Sequence, residues 1–548
     1  MSEKVIVTVN EGKVRGFKTK SDFSGVEYYT FLGVPYGQPP VRSARFKDPV
    51  KVKPWNNILD ATNEKPGCLQ FSIIKRCIFG SEDCLYNNIY TPKLPSKEDP
   101  LKSVVVCIHP GGMFHGSPEP SYFGAPDYLM HHDIVYVAMG YRLHAFGLLN
   151  LSIKNCTGNQ SIKDMILSLQ WIKQNIHSFG GDPNNVTLLG SSSGSAYVHF
   201  LLLSPLAKGL YHKAILMGMY VFNPLLVHSR DNTTVAYEVA ESMGYIGEKG
   251  DSKKLLNFYR NLDFIRFIAA RSEKHYSNNK LQAFPACPFI PAEDASENSP
   301  LPLSPEKLIP STNRVPIIIG FCQKECAMGV AYLQLSQQSI ADIFHAAISQ
   351  NCWGWGANLS NSELKQIQKE VEDFYLNGMP IEMASKLMLC DILTDAALSD
   401  VYDSLINVIA ADLPTSVFVY NFHYDGVLDG MKLKITEIMQ TEIEGAFHAA
   451  DYCYWSFMGE FAGKHAEKIP PKDREVIETF TSYLTTFART GNPNYERRKL
   501  DWNPTTPEHP SHIIIGETLE RKDEILNGQR LEFWHKLKKK YTKNCNNS

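Results

Sequence analysis

Short apolar runs rich in β-branched residues alternate with longer segments of helical periodicity along most of the chain. Such near-continuous apolar runs are typical of a parallel sheet that is covered on both faces. The predicted strands are Val5–Val9 with a partner from Val14 onward, Val104–Ile108, Ile134–Ala138, Val186–Leu189, Ala214–Met217, Val315–Ile319, Ser416–Tyr420 and His512–Ile515. The predicted helices are Ile162–Asn175, Ser195–Leu203, Thr234–Met243, Ser362–Tyr375, Ile381–Ile409 and Arg474–Arg489. The alternation predicts an α/β fold with a large, mostly parallel central sheet flanked by helices.

Two long stretches, from about 225 to 310 and from about 330 to 410, are mostly helical and interrupted by prolines. In an open α/β sheet, ligands bind outside the carboxyl ends of the strands. We therefore expect both stretches to be helical excursions over that edge of the sheet, where a substrate pocket would form. No internal repeat, low-complexity block or charged linker divides the chain, so residues 1–548 are predicted to form a single domain.

The charge of the chain limits its partners. The formal net charge is -3 and the pI is about 6.6, which gives no electrostatic case for binding nucleic acid or an anionic membrane surface. The longest apolar runs are far shorter than a membrane span. The first residues contain neither a long apolar segment nor a small-residue cleavage site, so we expect a cytoplasmic protein without a membrane span.

The cysteines are too sparse for a disulfide scaffold, with 12 in 548 residues. They show no paired C-x-x-C spacing, so no zinc site is expected. Cys68 and Cys84 could form a bridge in an oxidising compartment, whereas in the cytosol we expect both to be reduced.

A candidate nucleophile lies in the segment Gly190-Ser191-Ser192-Ser193-Gly194, between a predicted strand and a predicted helix. This is the setting of a G-x-S-x-G elbow, in which glycines permit a sharp turn that projects the central hydroxyl. The pattern alone is weak, because such a match arises by chance in roughly one of six sequences of this composition. Three consecutive serines could equally cap the helix that follows.

The surrounding residues make the pattern specific. The segment from Phe179 to Gly194 fulfils the whole signature of type-B carboxylesterases, and Glu82–Pro92 resembles the second signature of that family, with Asn87 where an aliphatic residue is usual. Further landmarks are Tyr141-Arg-Leu, Gly158-Asn159, Ser204–Gly209 and Phe487–Pro493. The chain thus resembles the carboxylesterase/cholinesterase family over nearly its full length. The resemblance implies an α/β-hydrolase fold, and it implies structural ion pairs of Arg45 with Glu82 and of Arg142 with Asp164.

The resemblance also implies an oxyanion hole. His109-Pro-Gly-Gly-Met-Phe-His-Gly116 is similar to the H-G-G-G-F loop of the family, which assigns the oxyanion-binding N–H groups to Gly111, Gly112 and Ser193. Pro110 occupies the first glycine position and has no N–H, but the family uses the next two glycines. The alternative is a turn packed under the sheet without a role in chemistry.

A serine of ordinary pKa needs a base, and the base needs a third group that orients it. The segment Gly445–Tyr454 resembles the family's G-x-x-H-x-x-D/E pattern and indicates His448 as the base. The segment Gly320–Glu325 resembles G-x-N-x-x-E and indicates Glu325 as the orienting carboxylate, although Cys322 and Cys326 depart from the usual residues. The alternative for Glu325 is an ordinary surface glutamate. The order Ser192, Glu325, His448 along the chain is that of α/β-hydrolases.

The substrate is less closely defined. Ser191 precedes the nucleophile where cholinesterases have glutamate, and the loop from Cys68 to Cys84 has no tryptophan for a quaternary ammonium, so choline esters are not expected. The stretch Tyr122–Leu129 resembles insect intracellular α-type esterases. Leu225 falls where the family often has a tryptophan, and it would leave a wider acyl pocket; the alternative is that Leu225 is a core residue in a shifted register.

We therefore expect a serine carboxylesterase that cleaves lipophilic small-molecule esters, including dietary and xenobiotic ones, through an acyl-enzyme on Ser192. The resemblance implies no metal and no cofactor, the ester substrate is the only partner expected, and a monomer is favoured. A slow-turnover scavenger that sequesters esters or organophosphates on Ser192 is the main alternative. A non-catalytic binding relative is a third, but such relatives usually lose a triad residue and gain a membrane span.

Overall fold

The computed structural model describes residues 3–542 except 73–76, 223–231, 264, 266–267, 269–287, 295, 328–329, 331–338, 354–358, 430–431, 433–435, 437–439, 441, 443 and 457–468. Within this part of the chain, no helix is both long enough and apolar enough to cross a membrane.

The strands, in chain order, are β1 (Lys4–Val9), β2 (Gly12–Lys20), β3 (Glu27–Pro35), β4 (Ile58–Asp60), β5 (Gln70–Ser72), β6 (Cys77–Phe79), β7 (Tyr86–Thr91), β8 (Lys102–Ile108), β9 (Val135–Met139), β10 (Asn150–Ile153), β11 (Cys156–Thr157), β12 (Gly181–Ser191), β13 (Lys213–Met217), β14 (Ile317–Cys322), β15 (Val417–Phe422), β16 (His512–Ile515) and β17 (Leu519–Lys522). The helices are α1 (His144–Leu148), α2 (Gln160–Asn175), α3 (Ser193–Leu203), α4 (Asn232–Glu241), α5 (Ser252–Asn261), α6 (Pro305–Leu308), α7 (Ile340–Trp353), α8 (Asn361–Leu376), α9 (Lys386–Val401), α10 (Asn407–Asp412), α11 (Pro471–Thr490) and α12 (Gly528–Thr542).

One sheet contains most of these strands, in the order β1-β2-β3-β7-β9-β8-β12-β13-β14-β15-β16-β17, with β4 beside β2. In this order, the strands from β9 to β16 are parallel throughout, and the neighbouring pairs at the two ends of the sheet are antiparallel. The additional strand β4 is parallel to β2. The protein therefore has the α/β-hydrolase fold that the sequence predicts, with a large mixed sheet flanked by helices.

The parallel part of the sheet is buried on both faces, which explains its near-continuous apolar strands. In β8, Val104, Val106 and Ile108 belong to one hydrophobic cluster, whereas Val105 and Cys107 belong to the cluster on the opposite face. All five side chains are at most 2% exposed. The alternation of adjacent residues between two cores follows from the two-residue period of a strand.

Both predicted excursions contain helices. The first stretch holds α4, α5 and α6, and the second holds α7, α8 and α9. Ala327 and Phe447 share a third hydrophobic cluster with residues of α7, α8, α9 and α12. The second excursion therefore packs against the segment that carries His448, close to the carboxyl edge of the sheet.

The expectation of one continuous helix over Ile381–Ile409 is wrong. A short 3-10 turn, Ile381–Met383, is followed by an extended residue, and α9 begins only at Lys386. The hydroxyl of Ser385 accepts a hydrogen bond from the N–H of Met388 at 3.1 Å, so a serine cap starts a new helix there. A π-helical turn, Tyr402–Ile406, then separates α9 from α10.

Cys68 and Cys84 form a disulfide, which is the outcome expected for an oxidising compartment and differs from the one expected for the cytosol. The two expected ion pairs are confirmed. Arg45 binds Glu82 through two of its nitrogens, with Nε 2.7 Å from Oε2. Arg142 and Asp164 form a bidentate pair whose side chains are 3% and 0% exposed.

Candidate active site

Ser192 lies at a sharp turn between β12 and α3. Its φ of 54° and ψ of -130° give a backbone conformation that is rare for residues other than glycine. The turn needs small neighbours, because a Cβ at Gly190 would lie 2.3 Å from the carbonyl oxygen of Gly194, and a Cβ at Gly194 would lie 2.1 Å from that of Ile108. The N–H of Ser192 donates to the carbonyl of Met217 at 2.8 Å, which fixes the turn against β13.

The hydroxyl of Ser192 faces a histidine. Nε2 of His448 lies 2.8 Å from the hydroxyl oxygen, and Nδ1 of the same ring is hydrogen-bonded to Glu325. Ser192 occupies the N-cap position of α3, yet its side chain makes no capping hydrogen bond. The alternative of a simple helix cap is therefore not what the structure shows.

Glu325 is a buried group. Its side chain is only 6% exposed, so it is not a surface glutamate. Its Oε2 accepts a hydrogen bond from the N–H of Cys322 at 2.7 Å. Because this donor is a backbone group, the unusual cysteine at position 322 leaves the contact intact.

The loops that carry Glu325 and His448 are held to each other. Lys324 and Phe447 form an isolated parallel bridge, and the N–H of Lys324 donates to the carbonyl of Ala446 at 2.8 Å. Each of these residues is a direct or near neighbour of Glu325 or His448 in the chain. The backbone thus brings together the carboxylate and the ring, which are 123 residues apart in sequence.

The electrostatics favour a basic histidine. Burial lowers the pKa of His448, but the charge of Glu325 and its hydrogen bond raise it by more, so the pKa lies above the ordinary value of 6.5. Asp451 adds a smaller contribution of the same sign. Burial raises the pKa of Asp451 itself to about 6, and the hydroxyl of Tyr420 donates to its Oδ2 at 2.5 Å.

The glycine loop after β8 has the geometry of a tight turn. Gly111 and Gly112 have φ values of 130° and 61°. A Cβ at Gly111 would lie 1.9 Å from the carbonyl oxygen of His115. Neither their N–H groups nor that of Ser193, the first residue of α3, has an acceptor among the described residues. Three backbone donors, of which Ser193 directly follows Ser192 in the chain, thus lack a protein acceptor among the described residues, which is one condition that an oxyanion site must meet.

Gly218 is a residue that the sequence reasoning missed. It directly follows β13 with a φ of 84°, and a Cβ there would lie 2.8 Å from Oε1 of Glu325 and 3.2 Å from the ring of His448. The available signal was a glycine at the carboxyl end of a predicted strand. The candidate pocket residue from the sequence, Leu225, lies outside the described residues.

Within the described ranges, a single group of residues has the spacing of metal ligands, and it lies apart from Ser192. The ligand atoms of His131, His132 and Glu478 are within 4.8 Å of one another. Each ring already has a protein partner: His131 contacts Glu478 at 3.1 Å and His132 contacts Thr481 at 2.8 Å. The charge of Arg489 acts on His132 and disfavours a second cation there.

Comparisons with known proteins identify the family to which the chain belongs. A model of the carboxylesterase family matches residues 3–534. Esterase E4 of Myzus persicae is 30% identical over 95% of this chain and 93% of its own length. Juvenile hormone esterase of Tribolium castaneum is 30% identical over 89% of this chain and 84% of its own length.

A solved structure provides a match of the whole fold. The crystal structure of juvenile hormone esterase from Manduca sexta, with OTFP covalently attached, has a TM-score of 0.83 and 25% sequence identity. The match covers 98% of this chain and 99% of that one. The chain therefore belongs to the carboxylesterase family, and the protein is a serine carboxylesterase.

Proposed function

We propose that the protein hydrolyses neutral, lipophilic small-molecule esters, dietary and xenobiotic ones among them, with Ser192 as nucleophile, His448 as base and Glu325 as orienting carboxylate. The observation that carries the proposal is the contact of 2.8 Å between the Ser192 hydroxyl and a buried ring whose other nitrogen is bound to Glu325. A nucleophile, a base and a third group in this order are the arrangement of acyl-transfer enzymes.

In the first step, the Ser192 hydroxyl attacks the ester carbonyl while Nε2 of His448 takes its proton. The carbonyl oxygen becomes an oxyanion, which accepts hydrogen bonds from the N–H groups of Gly111, Gly112 and Ser193. Collapse of this intermediate breaks the bond to the alcohol, which receives the proton from His448. Water then attacks the acyl-enzyme with the same base, and releases the acid and free Ser192.

The surroundings of the site favour an uncharged substrate. Among the described residues, no lysine or arginine forms a hydrogen bond or an ion pair with Ser192, His448 or Glu325. The space at Gly112 is bounded by the Phe114 ring, which a Cβ at position 112 would meet at 2.4 Å. An aromatic wall without a cationic partner suits an apolar ester better than a carboxylate-bearing one.

The test is stopped-flow hydrolysis of p-nitrophenyl esters of increasing chain length by the wild type and by Ser192→Ala. Ser195→Ala is the matched control, because it makes the same change in the same helix and its side chain is also buried. We expect kcat to fall on the order of 10⁶-fold in Ser192→Ala, with folding intact, and to stay near the wild-type value in Ser195→Ala.

The other outcomes have definite meanings. Turnover that survives in folded Ser192→Ala would refute the assignment of the nucleophile. A stoichiometric burst in the wild type, followed by little turnover, would replace hydrolysis with sequestration. A chain-length optimum at the shortest acyl group would argue against lipophilic substrates.

A further inference from the structure

Gln70 is a fully buried side chain whose amide nitrogen and oxygen both form hydrogen bonds with the backbone. Its Nε2 donates to the carbonyl oxygen of Cys68 at 2.9 Å and to that of Gly116 at 2.7 Å. Its Oε1 accepts from the N–H of Gly116 at 2.7 Å. Gln70 is 0% exposed, and a primary amide is the only side chain of this length that offers both two donors and an acceptor.

The peptide of Gly116 closes the loop that carries Gly111. The N–H of His115 donates to the carbonyl of Gly111 at 2.9 Å. At Gly116, where φ is 118°, a Cβ would lie 2.3 Å from Nδ1 of His109 and 2.3 Å from the carbonyl of Pro110. Gly116 at the end of the loop therefore packs directly against His109 and Pro110 at its beginning. A displacement of Gly116 would shift Gly111 and Gly112, which lie between these two ends.

The segment that carries Gln70 is itself held in place by a disulfide and a hydrogen bond. Cys68, to which it donates, is bound to Cys84 by the disulfide. The N–H of the neighbouring Gly67 donates to Oε1 of Glu119 at 2.7 Å, and Glu119 is 4% exposed. The segment around Gln70 is thus tied to the end of the glycine loop at Gly116 and, three residues further along the chain, at Glu119.

We propose that Gln70 is a positioning residue for ester hydrolysis, which acts through Gly116 to hold the N–H groups of Gly111 and Gly112 in place for the oxyanion. This inference rests on the proposed function of those two glycines. Donors at an oxyanion site accelerate the reaction because they are already oriented when charge develops. A glutamate at position 70 would present a carboxylate oxygen to the carbonyls of Cys68 and Gly116, which cannot donate to it.

The test compares Gln70→Glu and Gln70→Met with Gln38→Glu. Gln38 is the matched control, because its amide makes a hydrogen bond at the surface, to the carbonyl of Lys51 at 3.0 Å. The readouts are kcat, KM, the acid limb of the pH profile and the inhibition constant of a trifluoromethyl ketone. Addition of the serine to that ketone gives a tetrahedral oxyanion, so the compound reports on oxyanion binding.

We expect kcat/KM to fall about 10- to 100-fold in Gln70→Glu and less in Gln70→Met, which removes the hydrogen bonds without adding a charge. The inhibition constant of the ketone should rise by the same factor as kcat/KM falls. KM and the acid limb should keep their wild-type values, because the triad is untouched. The control should match the wild type in every readout.

Folded Gln70 variants with unchanged kcat and unchanged ketone inhibition would overturn the proposal. A role in stability alone would also overturn it, and would be seen as a loss of folding in both variants or as parallel changes in KM, the acid limb and ketone inhibition. Failure of the proposed function looks different, because turnover would then persist in Ser192→Ala. Turnover that needs Ser192 and is indifferent to Gln70 removes only the present inference.

Discussion

Gly218 lies directly against the carboxylate of Glu325: a Cβ at position 218 would stand 2.8 Å from Oε1. The N–H of Gly218 donates to the carbonyl of Gly320 at 3.0 Å, so the backbone is fixed to β14 and cannot withdraw freely. The pair formed by Glu325 and His448 therefore occupies space that exists only because residue 218 has no side chain.

Gly218→Ala should lower kcat/KM by about 10²-fold, because the added methyl group displaces Glu325 and rotates His448 away from Ser192. Steady-state kinetics on a p-nitrophenyl ester measure the effect. Gly209→Ala is the control, since Gly209 has a φ of 76° but no atom within 4 Å of its Cβ position. An equal loss of kcat/KM in the two variants would contradict this explanation, because the loss would then follow from backbone strain at a positive φ and not from contact with Glu325 and His448.

The pH profile should have an acid limb with its midpoint above 6.5, since the pKa of His448 is raised above that value and only the neutral ring can act as base. Activity is thus present above this pKa and is lost as the pH falls through it. Glu325→Gln should move the midpoint to lower pH, because burial then acts with only the smaller opposing effect of Asp451, and kcat should fall about 10⁴-fold.

The neighbouring histidines and tyrosines do not account for this limb. Burial lowers the pKa of His109 to about 4 and that of His115 to about 3, so both rings stay neutral over the relevant range. Burial also raises the pKa of Tyr220 and of Tyr420, which keeps the two phenols protonated. A limb that Glu325→Gln leaves in place would contradict the assignment of His448 as the titrating base.

Asp164→Ala should lower the free energy of unfolding by about 3–5 kcal/mol, because it leaves the buried guanidinium of Arg142 without its partner. The change in urea midpoint, followed by circular dichroism, measures this. The exposed pair of Arg498 and Asp501 provides the control, with side chains 33% and 57% exposed, and Asp501→Ala should cost at most about 1 kcal/mol. Similar costs for the two variants would mean that the buried pair is not a structural element.

Replacement of Cys68 and Cys84 by serine should lower the free energy of unfolding by about 3 kcal/mol, as expected for removal of a bridge across 16 residues. Mass spectrometry after alkylation, with and without prior reduction, measures whether the bridge is formed. Alkylation of both thiols in the unreduced protein would support the reduced state expected for a cytoplasmic location. A protected pair would instead favour an oxidising compartment.

The strands of the parallel part of the sheet were predicted well, because they are apolar on both faces and bounded by turns. The antiparallel strands β3 and β7 were missed; β7 carries the polar residues Asn87 and Asn88 in place of a continuous apolar run. His512–Ile515 has the same bounds in the structure, and Val104–Ile108 differs only at its first residues. The helical stretch from 381 to 409 was predicted less well, because apolar periodicity continues across the break. What ends one helical turn and starts the next is a local hydrogen bond of Ser385, which periodicity does not report.

The residues of the candidate site also fall into two groups, those that the sequence predicts and those that it does not. Ser192, Glu325 and His448 could be predicted because each lies in a motif whose residues are close together in sequence. Gly218 and Gln70 could not, because their importance depends on contacts with segments about 50 to 230 residues away, such as that of Gln70 with Gly116 and that of Gly218 with His448. Such contacts arise only when the ends of several strands meet at one edge of the sheet.

Ser192 and His448 are 256 residues apart in sequence, and Glu325 lies between them. The active site is therefore expected to form late in folding. Contacts between such distant residues form slowly, because long segments of chain must be closed before they are gained. A fragment that ends before residue 448 lacks the base and cannot by itself assemble the three groups. Recovery of ester hydrolysis during refolding should therefore lag behind the recovery of helical signal, and enzymatic activity should serve as a reporter of complete assembly of the sheet.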